Sequence, residues 1–221
     1  MLTLYGQTNS GNSYKPRLLL AKLNRAFRHV EVNSEGGATR EPAFLAKNPN
    51  GKVPLLELED GRLMAESNAM LLYFGEGTRF LPTDPYERAL VYQWLFFEQY
   101  SHEPNIAVRR ALVIYPARAA QATPERLAET LAGGTKALGV MERQLSSHPF
   151  MAGECFTLAD IALFAVHAGC RFGRLRHEAV SARGSLAQSG EGRSGACAPG
   201  MDRPLTDRSM KDRSIDHQGS S

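Results

Sequence analysis

Apolar and polar positions along the chain follow three regimes. In residues 1–80, short strand-like runs alternate with helical stripes. Met1–Tyr5 reads as a strand and Gly6–Ser13 as a polar, turn-rich loop. From Tyr14 a helix is expected, with Leu18, Leu19, Leu20 and Leu23 as its apolar stripe, Ser13 as N-cap and Pro16 in the first turn. Phe27–Val32 alternates as a second strand, and Glu41–Lys47 fits one or two helical turns. Asn48-Pro49-Asn50-Gly51 is a strong turn signal. Val53–Leu58 and Arg62–Ala65 then read as a hairpin around Asp60-Gly61, a type I′ signature. Ser67 is expected to cap a helix running through Tyr73 and Phe74. The resulting order is β-α-β-α-β-β-α.

The second regime begins after Phe80–Tyr86, a boundary carrying two prolines in seven residues. Residues 86–168 are helical throughout. Tyr86, Leu90 and Trp94 are spaced i, i+4, i+8, and Leu127, Leu131, Leu138, Met141 and Leu145 mark a helix from Pro124, weakened by Gly133-Gly134. Thr157 followed by Asp160 is a variant capping box, so Asp160 is expected to be structural. In the third regime, residues 169–221, eight Arg, eight Ser and eight Gly surround apolar residues of no period. That composition cannot bury enough apolar area to offset ordering entropy, so a disordered tail is expected. Such text is what a GC-rich gene gives when read out of frame, and a frameshift near Val166–Gly169 is the expectation.

Charge changes the picture little. The net charge of +3 lies wholly in residues 169–221, because residues 1–168 hold seventeen basic and seventeen acidic side chains. A nucleic-acid partner would need a basic stripe on a folded surface, and none is expected. No run approaches a membrane span, and MLTLYGQTNS lacks the features of a signal peptide. The odd count of Cys155, Cys170 and Cys197 argues against a disulfide framework and for a reducing cytoplasm. No metal is expected, since the histidines show no ligand spacing.

Two helix starts, after Ser10–Ser13 and after Glu66-Ser67, face the same end of the expected sheet. Each presents N–H donors and partial positive charge, which suits an anionic ligand with a carboxylate at one end and a thiol further along. A free thiol titrates near about 8.5, and lowering that by about 2 units requires about 2.7 kcal/mol. A hydrogen bond to a charged group contributes about 1.5–3 kcal/mol and a helix end about 0.3–1. One serine hydroxyl and a helix end are therefore sufficient. If the Val53-Pro54 bond were cis, the Val53 N–H and C=O would be open to an extended peptide; only about 5% of X-Pro bonds are cis.

These segments together resemble the glutathione S-transferase family. The matching pieces are LTLYGQTNSGNSYKPRLLL, NPNGKVPLLEL, the hairpin with AESNAMLLYF, and FTLAD, which is similar to the capping box of that family's sixth helix. The resemblance implies an α/β N-terminal thioredoxin-like domain at 1–80, an all-α C-terminal domain at 86–168 and a cytoplasmic homodimer. It implies a cis Pro54, with Val53 pairing to the cysteinyl part of glutathione, Glu66 and Ser67 at the γ-glutamyl end and Lys52 near the glycine carboxylate. Ser10, Asn12 and Ser13 are all candidates for the thiolate partner. Related bacterial disulfide-bond reductases carry Thr and Asn at what look like the positions of Ser10 and Asn12, whereas Tyr5 belongs to the strand. The implied activity is transfer of the glutathione thiolate, the co-substrate, to a small soft electrophile. Glutathione-dependent disulfide reduction and a non-catalytic glutathione-binding or interaction module are the rivals.

Each residue also has a plainer reading. Ser13 and Ser67 serve as simple caps, while Glu66 and Lys52 would be solvated surface charges. Trp94, Phe96, Phe97 and Tyr100 would be core or interface. His102 and His148 look like surface or loop residues, and Arg109-Arg110 like a solvated helix face rather than part of an electrophile pocket.

Overall fold

The computed structural model describes residues 1–168. The expectations for 169–221, including the disordered tail and the frameshift, lie outside the described residues.

The N-terminal unit is a four-stranded sheet in the order β2-β1-β3-β4. The strands are β1 (Thr3–Gly6), β2 (Arg28–Glu31), β3 (Leu55–Glu57) and β4 (Leu63–Ala65). β1 runs parallel to β2, and β3 is antiparallel to both β1 and β4. Helices α1 (Gly11–Lys22), α2 (Pro42–Leu45) and α3 (Ser67–Gly75) complete a thioredoxin-like domain. Period-2 alternation decides the two faces. Leu2, Leu4 and Leu56 pack with Leu19, Leu20, Met70 and Leu71 of α1 and α3, while Val32 and Leu55 pack on Phe44 of α2.

The helical domain contains α4 (Pro85–Phe97), a wide π turn (Glu98–His102), α5 (Glu103–Ile114), α6 (Pro124–Ser147) and α7 (Leu158–Ala168). Asp84 caps α4 through the Tyr86 and Glu87 N–H groups. The π turn has a cause in the sequence. Pro104 has no N–H for the Tyr100 carbonyl, and the helix widens so that the Glu103 N–H reaches the Glu98 carbonyl. α7 is the hub of the molecule: Leu158–Leu163, Ala165 and Val166 are buried, several of them in the same core as α1, α3 and α4.

Two local expectations are corrected. α1 begins at Gly11 with Ser10 as its N-cap, not at Tyr14 with Ser13 as cap. Pro16 therefore sits in the second turn, where it offers no N–H to the Asn12 carbonyl. Gly11 permits this start: a Cβ there would lie 2.9 Å from Val166 Cα, so helices α1 and α7 meet backbone to backbone. Second, the β3–β4 turn is not type I′, because Asp60 is not in the left-handed region. Gly61 alone is, at φ 83°, in a three-residue loop closed by Leu58 N–H to Arg62 O at 2.8 Å. Gly133, expected to weaken α6, faces the side-chain amide of Asn105 on α5, which would have to move to admit a Cβ.

Candidate functional site

The register of the sheet gathers the site. Leu55 pairs with Tyr5 on one side and with Ala65 on the other. The segments one step further along, Gly6–Ser10, Val53–Pro54 and Glu66–Ser67, are thereby brought to one end of the sheet.

The Val53 segment is shaped by a buried asparagine. Asn48 donates from Nδ2 to the Lys52 carbonyl at 2.8 Å and accepts the Asn50 N–H at 3.2 Å. Gly51 at φ 60° completes the turn, where a Cβ would press on Arg40 and on the Thr39 carbonyl. The Val53-Pro54 bond is cis. Among the described residues nothing hydrogen-bonds the Val53 N–H or C=O. Lys52 is exposed beside it.

α3 starts without a side-chain cap. Glu66 stands in the N-cap position at φ 66°, ψ 112°, a backbone conformation that disfavours a residue with a Cβ. Ser67, expected as the cap, is instead the first helical residue and is buried. The donors of the first turn are left for whatever occupies this end of the sheet.

The three loop candidates have different surroundings. Ser10 is half-buried and its Oγ accepts the Ser13 N–H at 3.3 Å as the α1 cap. Ser13 is fully buried, packed under Gly6, and its Oγ accepts the Gln7 N–H at 3.2 Å. Asn12 is half-buried and bridges two elements: its Oδ1 accepts from Ser67 Oγ at 3.4 Å and its Nδ2 donates to Glu103 Oε1 at 3.1 Å. Glu103 opens α5, so the helical domain reaches into the site. Burial, and next the nearby Glu98 charge, push the Glu103 carboxyl above its ordinary range.

Beneath these residues lies a pair that no motif announced. Lys15 of α1 and Glu98 of the π turn are both fully buried and meet at 2.7 Å. Lys15 Nζ also donates to Ser67 Oγ and Asn68 Oδ1, each at 3.2 Å. Asn68 Nδ2 donates in turn to Glu98 Oε2 at 3.1 Å. Burial pulls the Lys15 ammonium below its ordinary range, opposed chiefly by Glu98. A sequence signal for the pair did exist. Lys15 falls on the Leu19–Leu23 stripe, and Glu98 follows Val91, Trp94 and Leu95 at helical spacing, so each charge stands where an apolar residue is due.

Other residues fall outside this cluster. Tyr5 donates to Glu57 at 2.7 Å and receives Lys47 at 2.9 Å, as part of the sheet. His102 is buried, not on the surface as expected, because the π turn rotates it inward. Arg109 and Arg110 are half-buried, held by the Leu127 carbonyl and Tyr115, rather than on a solvated face. Trp94 is buried, whereas Phe96 and Tyr100 are exposed. Asp160 is structural: it accepts the Met151 and Thr157 N–H groups at 2.9 and 2.8 Å.

Chemically, this end of the sheet offers an open helix N-terminus for a carboxylate, free backbone groups for an extended peptide, and amide and hydroxyl donors for an anion between them. No helix among the described residues is long and apolar enough to cross a membrane. Comparison with known proteins agrees with the fold. Residues 1–76 match the model of the glutathione S-transferase N-terminal domain and residues 106–180 that of its C-terminal domain. Glutathione S-transferase F13 of Arabidopsis thaliana is 33% identical over 167 residues, covering 72% of this chain and 76% of the relative. The disulfide-bond oxidoreductase YfcG of Escherichia coli is 28% identical over 158 residues, 68% of this chain and 72% of the relative. A crystal structure of a glutathione S-transferase from Pseudomonas fluorescens superposes with a TM-score of 0.76 at 45% identity, covering 80% of this chain and 87% of that one. With both domain models matched and the sheet, cis-proline turn and helical domain in place, the chain belongs to the glutathione S-transferase family.

Proposed function

We propose that this chain is a glutathione transferase that binds glutathione at residues 1–80 and directs its thiolate at a small soft electrophile. The observation that carries the reading is the uncapped start of α3 beside the free Val53 backbone, at one end of the sheet. In this reading the γ-glutamyl carboxylate lies on the Ser67 end of α3 with Glu66 beside it. The cysteinyl backbone pairs with Val53 at the Pro54 turn, and Lys52 approaches the glycine carboxylate. Of the three loop residues, Asn12 is assigned the thiolate contact. Ser13 is walled in by Gly6 and Gln7, whereas Asn12 Nδ2 keeps a second hydrogen; Ser10, whose oxygen accepts the Ser13 N–H as the α1 cap, keeps its hydroxyl hydrogen and is the alternative donor. The thiol proton leaves to water. The sulfur lone pair then forms the new S–C bond as the leaving group departs with its electrons, and the protein contributes by stabilising the thiolate and positioning it. Cytoplasmic residence and a homodimer belong to the same reading.

Disulfide reduction is the second reading, supported by the Escherichia coli oxidoreductase among the relatives. One assay series separates the two: turnover of an aromatic halide against turnover of a small disulfide, with glutathione in both. Faster halide turnover supports conjugation, and turnover of the disulfide alone supports reduction. Retention on immobilised glutathione with neither activity would replace both with a binding module.

A further inference from the structure

Four side chains form a hydrogen-bond chain with one direction. Lys15 Nζ donates to Ser67 Oγ at 3.2 Å, Ser67 Oγ to Asn12 Oδ1 at 3.4 Å, and Asn12 Nδ2 to Glu103 Oε1 at 3.1 Å. An ammonium has hydrogens and no lone pair, so at the Lys15 end the direction cannot reverse. The three hydrogens of Lys15 are fully used, on Ser67, Asn68 and Glu98. Occupied by Lys15, the Ser67 oxygen must turn its own hydrogen outward, away from the core. That hydrogen holds the Asn12 amide with its oxygen toward Ser67 and its nitrogen toward Glu103.

We infer that Lys15 is a positioning residue: held in place by Glu98 of the helical domain, it fixes Ser67 and Asn12 as hydrogen-bond donors toward an anionic ligand. The inference rests on the glutathione reading of the site for its ligand and on geometry for the chain itself. Ser67 can swing its hydrogen from Asn12 to an arriving carboxylate, yet it stays a donor because Lys15 keeps its lone pair. With the Ser67 hydrogen so engaged, the Asn12 nitrogen stays turned toward Glu103 Oε1, and its second N–H rather than its C=O faces a sulfur anion. The device also explains why two opposite charges are buried where apolar side chains are due. Glu98 comes from the π turn, so the donor orientation of the ligand site depends on the helical domain being docked.

The test uses the full chain and the double variant Lys15→Met/Glu98→Met, which removes both charges together and leaves no unpaired ion inside. The side-chain NH2 pair of Asn12 is followed by 15N NMR. In the parent it is expected to exchange slowly with solvent and to resonate away from the positions of free asparagine amides; in the double variant it is expected to move to them. Glutathione is expected to bind the double variant about tenfold more weakly. Ser67→Ala, expected to cost about tenfold in the parent, is expected to cost less than about twofold in the double variant, because the hydroxyl it removes is no longer oriented. An Asn12 amide pair that exchanges freely in the parent overturns the proposal without any variant. An unchanged Asn12 signal in the double variant, or an equal Ser67→Ala penalty in both backgrounds, also overturns it. A parent that binds no glutathione overturns the ligand reading instead, and the Asn12 signal then decides the chain alone.

Discussion

The starts of α3 and α7 are built from similar letters, Glu-Ser and Thr-Leu-Ala-Asp, and end in opposite states. At α7 the opening donors have partners within the chain. Asp160 takes the Thr157 N–H, Thr157 Oγ1 takes the Ala159 N–H at 3.3 Å, and the Phe80 carbonyl takes the Leu158 N–H at 2.9 Å. That closed cap is buried and joins the interdomain linker to the core. At α3 no side chain caps the helix, and its N-cap residue, Glu66, stands at positive φ. The contrast shows how one family fold separates stability from binding. The α7 start, satisfied by its own chain, acts as a joint, while the open α3 start leaves its N–H donors available to an anion, as the proposed glutathione reading requires.

The largest expected effect comes from breaking the closed end. Asp160→Ala leaves the Met151 and Thr157 donors without a buried acceptor and is expected to cost about 3 kcal/mol or more. Denaturant unfolding checks this, and a loss below about 1 kcal/mol would remove Asp160 from its role as joint. Glutathione affinity in the folded fraction is expected to be unchanged.

Next is the open end. Ser67→Ala is expected to weaken glutathione binding about tenfold while costing no more than about 1.5 kcal/mol of stability, the reverse of the Asp160 pattern. Calorimetric binding and a melting curve on the same sample show which pattern holds. Asn12→Ala is expected to lower turnover more than it lowers glutathione affinity, as a contact made to the thiolate should. Equal losses in both would move the thiolate contact to another residue.

The two ends also differ in how much of each the chain reveals before it folds. The α7 cap is legible in Thr157-Leu158-Ala159-Asp160, because a capping box is a local pattern of fixed spacing. So is the turn at Asn48–Gly51, and the β-α-β-α-β-β-α order follows from the alternation of apolar residues. The open end is read only in part. Val53, Glu66 and Ser67 stand out through the family resemblance, yet the buried Lys15–Glu98 pair joins residues 83 apart that no local pattern couples. The start of α1 is not legible locally, because Ser10 and Ser13 are equally good caps by type and the choice is made by Gly11 packing on α7, a contact 155 residues away in sequence. The π turn follows from Pro104, but where a helix widens depends on the face that must be buried.

A pH measurement sharpens the comparison further. Burial pushes Asp160 up to about 6, against 3.8 for an ordinary aspartate, despite the N–H groups that favour its charge. The folded chain thus holds this proton more tightly than the unfolded chain. The group's contribution to stability is greatest below about pH 4 and is lost as pH rises through about 6. A carbon-detected titration of the Asp160 carboxyl is expected to have its midpoint near 6, and a midpoint below about 4.5 would contradict the burial argument.

The smallest effect tests the strain at the open end. Glu66→Gly relieves a positive φ and is expected to stabilise the chain by about 0.5–1 kcal/mol while weakening glutathione binding. A destabilised glycine variant would mean that the Glu66 side chain, not its backbone, holds the turn.

The central claim is that the open start of α3 and the free Val53 backbone bind glutathione together. Titration of the 15N-labelled chain with reduced glutathione tests it most directly. The account predicts saturable shifts that are largest at the Val53, Ser67 and Asn68 amides and the Asn12 side chain, with little change at Thr157 and Leu158. Shifts confined to other surfaces, or none up to millimolar glutathione, would contradict it.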